Sequence, residues 1–402
     1  MTAPAPLSRF LGAGYAYAFL FDFCFAYAIY TALFSLKGLT VTEIGILIAF
    51  WSASAIVLEL PSGALSDWFD RRVLLALAPL VKALTFVVWA MADGNFWLYG
   101  LGFLFWSIGQ ALYSGTIEAV FYERLDHEGR AADYAAVYGR ISAAESLGIG
   151  SGLLIGGFIA AQGMELSIWL SIPPMLLCAI SAVWLIDIRR NGDEEDGDEP
   201  GYLENFAIAW GEIKRAPDLR RLALYITFGL ILFEVLEEFD QLYYLAVSLP
   251  IWLYGVAGAA GLAMTALGSV VAHRLEHIGA LPWLLPALGG VLLFVASFGN
   301  NALYVVVLEA AYIVVVPATV LAHARFQHIL EGRSRATATS ALEVAQNVTG
   351  IVVTLGFGVL AEIIGVLPAY GWAGMLMLPV AIWAWVLQRS GRSLFSSGGN
   401  DH

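Results

Sequence analysis

Apolar residues run through this chain in long unbroken stretches, with polar residues confined to short intervals between them. A bilayer core takes roughly 20 apolar residues per helical crossing, and runs of that length can be laid down about twelve times. The first six predicted spans are Phe10–Phe34, Ile44–Leu65, Val73–Met91, Phe96–Tyr122, Tyr134–Ala161 and Leu166–Ile186. The second six are Leu222–Val247, Ile251–Ala272, Leu281–Phe298, Leu303–Ala324, Ala336–Ile363 and Leu367–Leu387. Backbone groups left unpaired in lipid are costly, so these runs predict helices, and nothing has the short alternating strands of a barrel.

Composition agrees: 59% hydrophobic and 13% charged residues exclude a soluble domain with a wetted surface. Basic residues concentrate on the cytoplasmic side of membrane proteins. With the N-terminus inside, Arg9, Arg71, Arg72, Arg124, Arg130, Arg189, Arg190, Lys214, Arg215, Arg220, Arg221, Arg274, Arg325, Arg333, Arg335, Arg389 and Arg392 all fall on that side. Lys37 lies outside, Lys82 within span 3 and Arg140 just within span 5. An error of one span would scramble this segregation, which predicts both termini cytoplasmic.

The net charge of −13 comes partly from the acidic run Asp193–Glu199, read as a solvated tether. After it, Tyr202–Arg215 has the pattern of a short amphipathic helix on the cytoplasmic interface. Cys24 and Cys178 both fall inside predicted spans, where they act as small apolar residues. The chain also repeats itself: Glu128-Gly129-Arg130 after span 4 returns as Glu331-Gly332-Arg333 after span 10. The expected organisation is a six-helix bundle over 1–190, a linker over 191–220, a second bundle over 221–390 and a tail over 391–402.

Between spans 2 and 3 the ten residues Gly63–Arg72 carry carboxylates and arginines where the chain is expected to leave the membrane as a loop. Gly63, Leu65, Asp67, Arg71, Arg72 and Leu75 resemble the signature found there in major facilitator superfamily transporters. Trp68 stands where that signature has Arg and Asp70 where it has Gly, which bears on the charge latch the loop makes. The resemblance implies an all-α membrane protein of twelve transmembrane helices in two pseudo-symmetric six-helix bundles. It also implies a substrate site between the bundles near the midplane, a gating role for Gly63, Asp67, Arg71 and Arg72, and a monomer. Glu59, in Glu59-Leu60-Pro61-Ser62-Gly63, resembles a run seen in many bacterial facilitators and is assigned to gating or packing.

An ionised side chain at mid-bilayer costs roughly 2.5–3.5 kcal/mol on insertion scales, so the acids inside the spans are the candidate mechanism. Counting along the helices puts Asp22, Glu145 and Glu234 near mid-depth, Glu118 and Glu343 toward the cytoplasm, and Glu237, Glu238, Asp240 and Glu309 toward the outside. Only Lys82 and Arg140 stand against them within the spans, so desolvation and mutual repulsion favour protonated carboxyls that can accept and release a coupling proton.

Asp22, flanked by Phe21, Phe23 and Phe25, is the first choice for a proton or cation site. Glu234, Glu237, Glu238 and Gln241 share one helix face. Glu234 is an even choice for substrate binding or coupling, whereas Glu238 and Asp240 mark the exit to solvent. Glu118 is read as a latch onto a cytoplasmic arginine ahead of a substrate contact, and Glu343 as part of a polar stripe with Gln346 and Asn347. Tyr15, Phe21, Phe25, Phe233 and Tyr243 are candidates for an aromatic cavity wall. Lys82 is expected to pair with a neighbouring acid, and Gly148, Gly152, Gly156 and Gly157 to allow close helix packing. The remaining Trp and Tyr are assigned to interface belts and packing.

Phosphate-cradling, zinc-protease and serine-hydrolase motifs are wanting, and the histidines form no metal cage. These features predict no ATP drive, metal, cofactor or nucleic-acid partner. The expected function is a secondary transporter of the bacterial inner membrane coupled to protons, with Na⁺ left open as the ion. An acid-rich, base-poor, aromatic interior favours efflux of cationic or neutral lipophilic compounds and resembles the multidrug/proton antiporters. Proton symport of a small neutral or cationic nutrient is the nearest alternative, and a membrane-embedded enzyme or channel a remote one.

Overall fold

The computed structural model of the chain describes residues 6–68, 70–185, 211, 213, 216–330, 334–390 and 394, with side chains at all of these except 59–68, 115 and 334–337. Two compact units are found, Met1–Asp196 with Pro250–Ala259, and Gly197–Leu249 with Ala260–His402. The amphipathic segment 202–215 falls outside the described residues apart from Gly211 and Ile213, as do Glu331–Arg333 and nearly all of the tail.

Unit 1 begins with α1 (Leu7–Phe21) and α2 (Tyr30–Leu36), joined by a 3₁₀ turn over Phe25–Ala28. It continues with α3 (Val41–Trp68), α4 (Arg71–Ala92), α5 (Phe96–His127), α6 (Tyr134–Ala160), α7 (Met164–Leu170) and α8 (Ile172–Ser181). Polar caps set several boundaries. Thr40 and Glu43 exchange side-chain to backbone hydrogen bonds before α3, the Asn95 side chain accepts from Trp97 and Leu98 at the start of α5, and Asp70 accepts from the Arg72 N–H at 2.9 Å to open α4. The turn between α4 and α5 uses positive φ at Asp93 and Gly94, and a Cβ at Gly94 would lie 2.5 Å from the Lys37 carbonyl.

The stretch read as a loop over Gly63–Arg72 is therefore mostly helix. Helix α3 runs through Trp68 and α4 begins at Arg71, because Ala64-Leu65-Ser66-Asp67-Trp68 contains nothing that ends a helix. Gly63 and Asp67 thus sit on helical backbone.

Predicted span 1 is not one helix. It breaks at Asp22–Cys24, and two of the polar groups freed there find side-chain partners on other helices. The Phe21 carbonyl accepts from Lys82 Nζ at 2.9 Å, and the Ala26 N–H donates to Ser171 Oγ at 2.9 Å. Helix α6 presses onto this segment with its glycines. A Cβ at Gly148, Gly152 or Gly156 would lie 2.3, 2.8 or 2.2 Å from the carbonyl oxygens of Phe19, Cys24 and Phe25 respectively. The core beside the break is aromatic and aliphatic, built from Phe10, Tyr17, Phe21, Leu75, Tyr113, Phe121 and Ile141.

Unit 2 contains α9 (Pro217–Leu224), a π-helical turn over Tyr225–Leu230, α10 (Ile231–Glu237) and α11 (Asp240–Ala246). Then come α12 (Trp252–Leu275), whose first turns belong to unit 1, α13 (Leu281–Ala296), α14 (Tyr304–Ile329), α15 (Ser334–Ile364) and α16 (Val366–Arg389). Span 7 is interrupted like span 1, by the π turn and by a second turn at Glu238–Phe239. Among the described residues nine helices are long and apolar enough to cross a membrane, and no strand is present. The predicted spans over Phe96–Tyr122, Leu222–Val247 and Leu281–Phe298 are not among the nine, and the last of these forms a helix of 16 residues, Leu281–Ala296.

Candidate functional site

In unit 1 the helix break delivers Asp22 to Lys82. Lys82 Nζ, on α4, lies 2.9 Å from Asp22 Oδ1, and the Tyr27 hydroxyl donates to the same oxygen at 2.8 Å. Lys82 has no exposed surface, and Asp22 is 15% exposed at its side chain. The ammonium also sits 3.9 Å from the centroid of the Phe21 ring, 5.6 Å from Trp106 and 5.7 Å from Tyr27. Asp22 is thus the acid with which Lys82, the lysine of span 3 expected to pair with a neighbouring acid, forms its ion pair.

Phe21 stacks in turn on Tyr113 of α5 at 4.3 Å, and the Tyr113 hydroxyl donates to Glu145 of α6. Phe21 is therefore a packed link between the ion pair and Glu145. Phe25 meets Phe23 edge-on, and Tyr15 is half-buried with its hydroxyl enclosed.

Among the described residues Glu118 pairs with no arginine. It is exposed and accepts from the Tyr138 hydroxyl at 3.1 Å, because the next turn of α5 offers Glu123 to the arginine instead. Arg71, nearly buried, reaches Glu123 at 2.6 Å, and Arg124 pairs with Glu128 at 2.8 Å beneath Phe10. Arg72 is exposed, while the side chains of Asp67 and Glu59 lie outside the described residues. At the other end of α4, Lys37 joins Glu165 at 2.5 Å and Asp93 at 3.0 Å. These carboxylates, Glu165 first, hold its ammonium above the ordinary lysine range.

Unit 2 carries acids of a different kind. Asp240, placed by sequence at the exit to solvent, is buried: the turn at Glu238–Phe239 rotates it inward to the tyrosines of α14 and α16. The Tyr312 hydroxyl donates to Asp240 Oδ1 at 2.5 Å, and the Tyr370 hydroxyl lies 3.0 Å from the same oxygen and 3.1 Å from the Leu236 carbonyl. Tyr244 donates to Glu309 at 2.6 Å. No cation among the described residues pairs with Asp240, Glu237 or Glu309.

Glu234 and Glu237 are exposed on α10, Glu238 is half-buried at the turn, and Glu343 and Asn347 are exposed on α15. Phe233 and Tyr243 are buried in packing: Phe233 lies edge-on to Tyr312, while Tyr243 donates to the Ala296 carbonyl and packs on Tyr370.

The tyrosines that hold the acids went unrecognised in the sequence. Tyr113 and Tyr312 carry the one usable signal, since they lie inside predicted spans away from both ends, where a buried hydroxyl needs a partner.

A family model described as Major Facilitator Superfamily matches residues 11–353. The chain belongs to the Major Facilitator Superfamily. It is similar to the solved structure of a bacterial homolog of the human lysosomal transporter Spinster, with 14% identity, 99% of this chain and 100% of that chain covered, and a TM-score of 0.78. The nucleoside transporter NupG is similar at 17% identity, with 96% and 99% covered and a TM-score of 0.67. The xylose transporter XylE from E. coli has 16% identity, 93% and 94% covered and a TM-score of 0.66. Comparison with curated proteins gives no match. The facilitator fold is all-helical, and the chain is a multi-pass membrane transporter rather than an enzyme.

Proposed function

We propose that this facilitator is a proton-coupled secondary transporter of the bacterial inner membrane that exports small cationic or neutral lipophilic compounds by alternating access. It does so as a monomer of twelve crossings with both termini cytoplasmic. The observation that carries the proposal is that four of the acids inside its helices are held by phenols: Glu145 by Tyr113, Glu118 by Tyr138, Glu309 by Tyr244, and Asp240 by Tyr312 and Tyr370.

A phenol donates to a carboxyl whether or not that carboxyl carries a proton, so protonation leaves no orphaned cation behind. A carboxylate held by arginine is instead locked in its charged form. Such acids suit a coupling proton, and an interior with many carboxyls and one caged lysine attracts cations rather than anions.

The test is proton release from purified protein in weakly buffered detergent. Release on adding a lipophilic cation such as tetraphenylphosphonium is the expected result. A signal only with small nutrients would replace export by symport, and the absence of any proton signal with a ligand that demonstrably binds would remove proton coupling.

A further inference from the structure

Helices α5 and α6 exchange their acids and phenols in register. Tyr122 meets Tyr134 edge-on at 5.4 Å, Tyr138 donates to Glu118 at 3.1 Å, and Tyr113 donates to Glu145. The partners step down one helix as they step up the other, so these are three rungs of one antiparallel seam. Helix α1 closes one side of it. The α6 helix rests on α1 through Gly148 against the Phe19 carbonyl, and α5 does so through Phe121 on Phe10 and Tyr113 on Phe21. The other side is open: Glu118 is exposed, Glu145 is half-buried, and Tyr122 and Tyr138 are 50% and 40% exposed.

The open side carries charge without a counter-charge, since no cation among the described residues pairs with Glu118 or Glu145. Independently of the acids, Tyr134 stacks on Tyr138 at 5.9 Å, so the rings of Tyr122, Tyr134 and Tyr138 run along the seam in contact with one another. Ring faces attract a quaternary ammonium, and a carboxylate beside them supplies its counter-charge. The two acidic rungs are offset by Tyr113 to Glu118 along α5, about 7.5 Å, and by Tyr138 to Glu145 along α6, about 10.5 Å.

We propose that the α5–α6 seam is a two-point site for linear dications, with one cationic nitrogen at Glu118 beside the rings of Tyr134 and Tyr138 and the other at Glu145. The inference rests on the proposed transport of cationic compounds and narrows it, because the spacing between charges then selects the ligand as well as the charge itself. A monocation neutralises one carboxylate and leaves the other bare. A dication of matching length neutralises both and gives up its translational freedom only once.

The test is isothermal titration calorimetry on the purified full-length protein in detergent at pH 7. Hexamethonium, extended, holds two quaternary nitrogens at close to the rung separation. Hexyltrimethylammonium has the same chain with a single charge, and the ethylene-bridged bis-quaternary ammonium has two charges too close together to span the rungs. Tetraphenylphosphonium reports cation binding of any kind. Hexamethonium is expected to bind about tenfold tighter than either ammonium control, the effect of one further ion pair with its ring contacts. Glu118→Gln and Glu145→Gln keep an acceptor for the tyrosine and remove the charge, and each should reduce that preference to within about threefold.

Equal affinity of the parent protein for hexamethonium and either control overturns the two-point site without recourse to any variant. A preference for hexamethonium that survives both substitutions overturns it as well. If tetraphenylphosphonium binds and hexamethonium does not, the site fails and the reading of cationic substrates stands; if neither binds, both fail.

Discussion

Gly156→Ala tests whether the glycines of α6 are what hold the broken first span in place. The added methyl would sit 2.2 Å from the Phe25 carbonyl oxygen and 2.9 Å from the Phe25 carbonyl carbon and Cα. All three are backbone atoms, so no side chain can turn aside. Ordinary contact begins at 3.4 Å, and the helix must therefore back away by about 1.2 Å. That movement opens the neighbouring approaches of Gly148 to Phe19 and Gly152 to Cys24, and overpacking of this kind costs roughly 1–3 kcal/mol, here at the upper end.

Gly139→Ala, on the same helix with nothing within 4 Å, is the control. It gains only helix propensity, about 0.5–1 kcal/mol. The two variants should separate by roughly 2–4 kcal/mol in opposite directions from the parent. Thermal unfolding of the purified proteins in detergent, followed by tryptophan fluorescence and monodispersity, reads the order directly. Gly156→Ala melting at or above the parent temperature would refute the claim that this stripe is in backbone contact.

Removing one charge of the buried pair with Lys82→Ala should destabilise the protein by about 3–5 kcal/mol through the orphaned Asp22, and Lys82→Met with Asp22→Asn should recover most of it, both measured by thermal melting. Tyr312→Phe and Tyr370→Phe each withdraw one donor from Asp240 and should cost about 1–2 kcal/mol singly. If they cost nothing together, the hydroxyl geometry around Asp240 is not that of the folded protein. Lys37 is held above the ordinary lysine value by Glu165 and then Asp93, so its stabilising effect is complete below about pH 10.4 and is lost only as pH rises through the folded value. Acylation of Lys37 at pH 10, followed by mass spectrometry, should therefore be slow and should accelerate in Glu165→Gln.

The helices were legible because an apolar run of membrane-spanning length admits one backbone solution, and the acids were legible because charge in a span is rare and costly. The breaks were not legible. Span 1 carries no proline or glycine at Asp22–Cys24, and its interruption depends on Lys82 and Ser171, 60 and 145 residues away, accepting or donating the freed hydrogen bonds. Asp240 was misplaced for the same reason: counting along an ideal helix ignores the turn at Glu238–Phe239 that carries it inward. Glu118 and Glu123 are a case of two chemically equivalent acids, and only the fold decides which one faces Arg71.

The two interrupted spans share one construction with different chemistry. In unit 1, Lys82 donates both to the Phe21 carbonyl, freed just before the break, and to Asp22 beyond it. In unit 2, the Tyr370 hydroxyl stands between the Leu236 carbonyl, which also accepts from the Phe239 N–H at 2.9 Å within the turn, and Asp240 beyond it. Each time, one side chain from another helix reaches both a backbone carbonyl beside the break and the acid beyond it. The donor decides what a proton does there. Protonating either carboxylate adds one positive charge to its surroundings; at Asp22 it would leave a lysine ammonium beside a neutral acid, and at Asp240 only neutral phenols. The two breaks therefore hold their acids by opposite means, a buried ammonium in unit 1 and a pair of neutral phenols in unit 2.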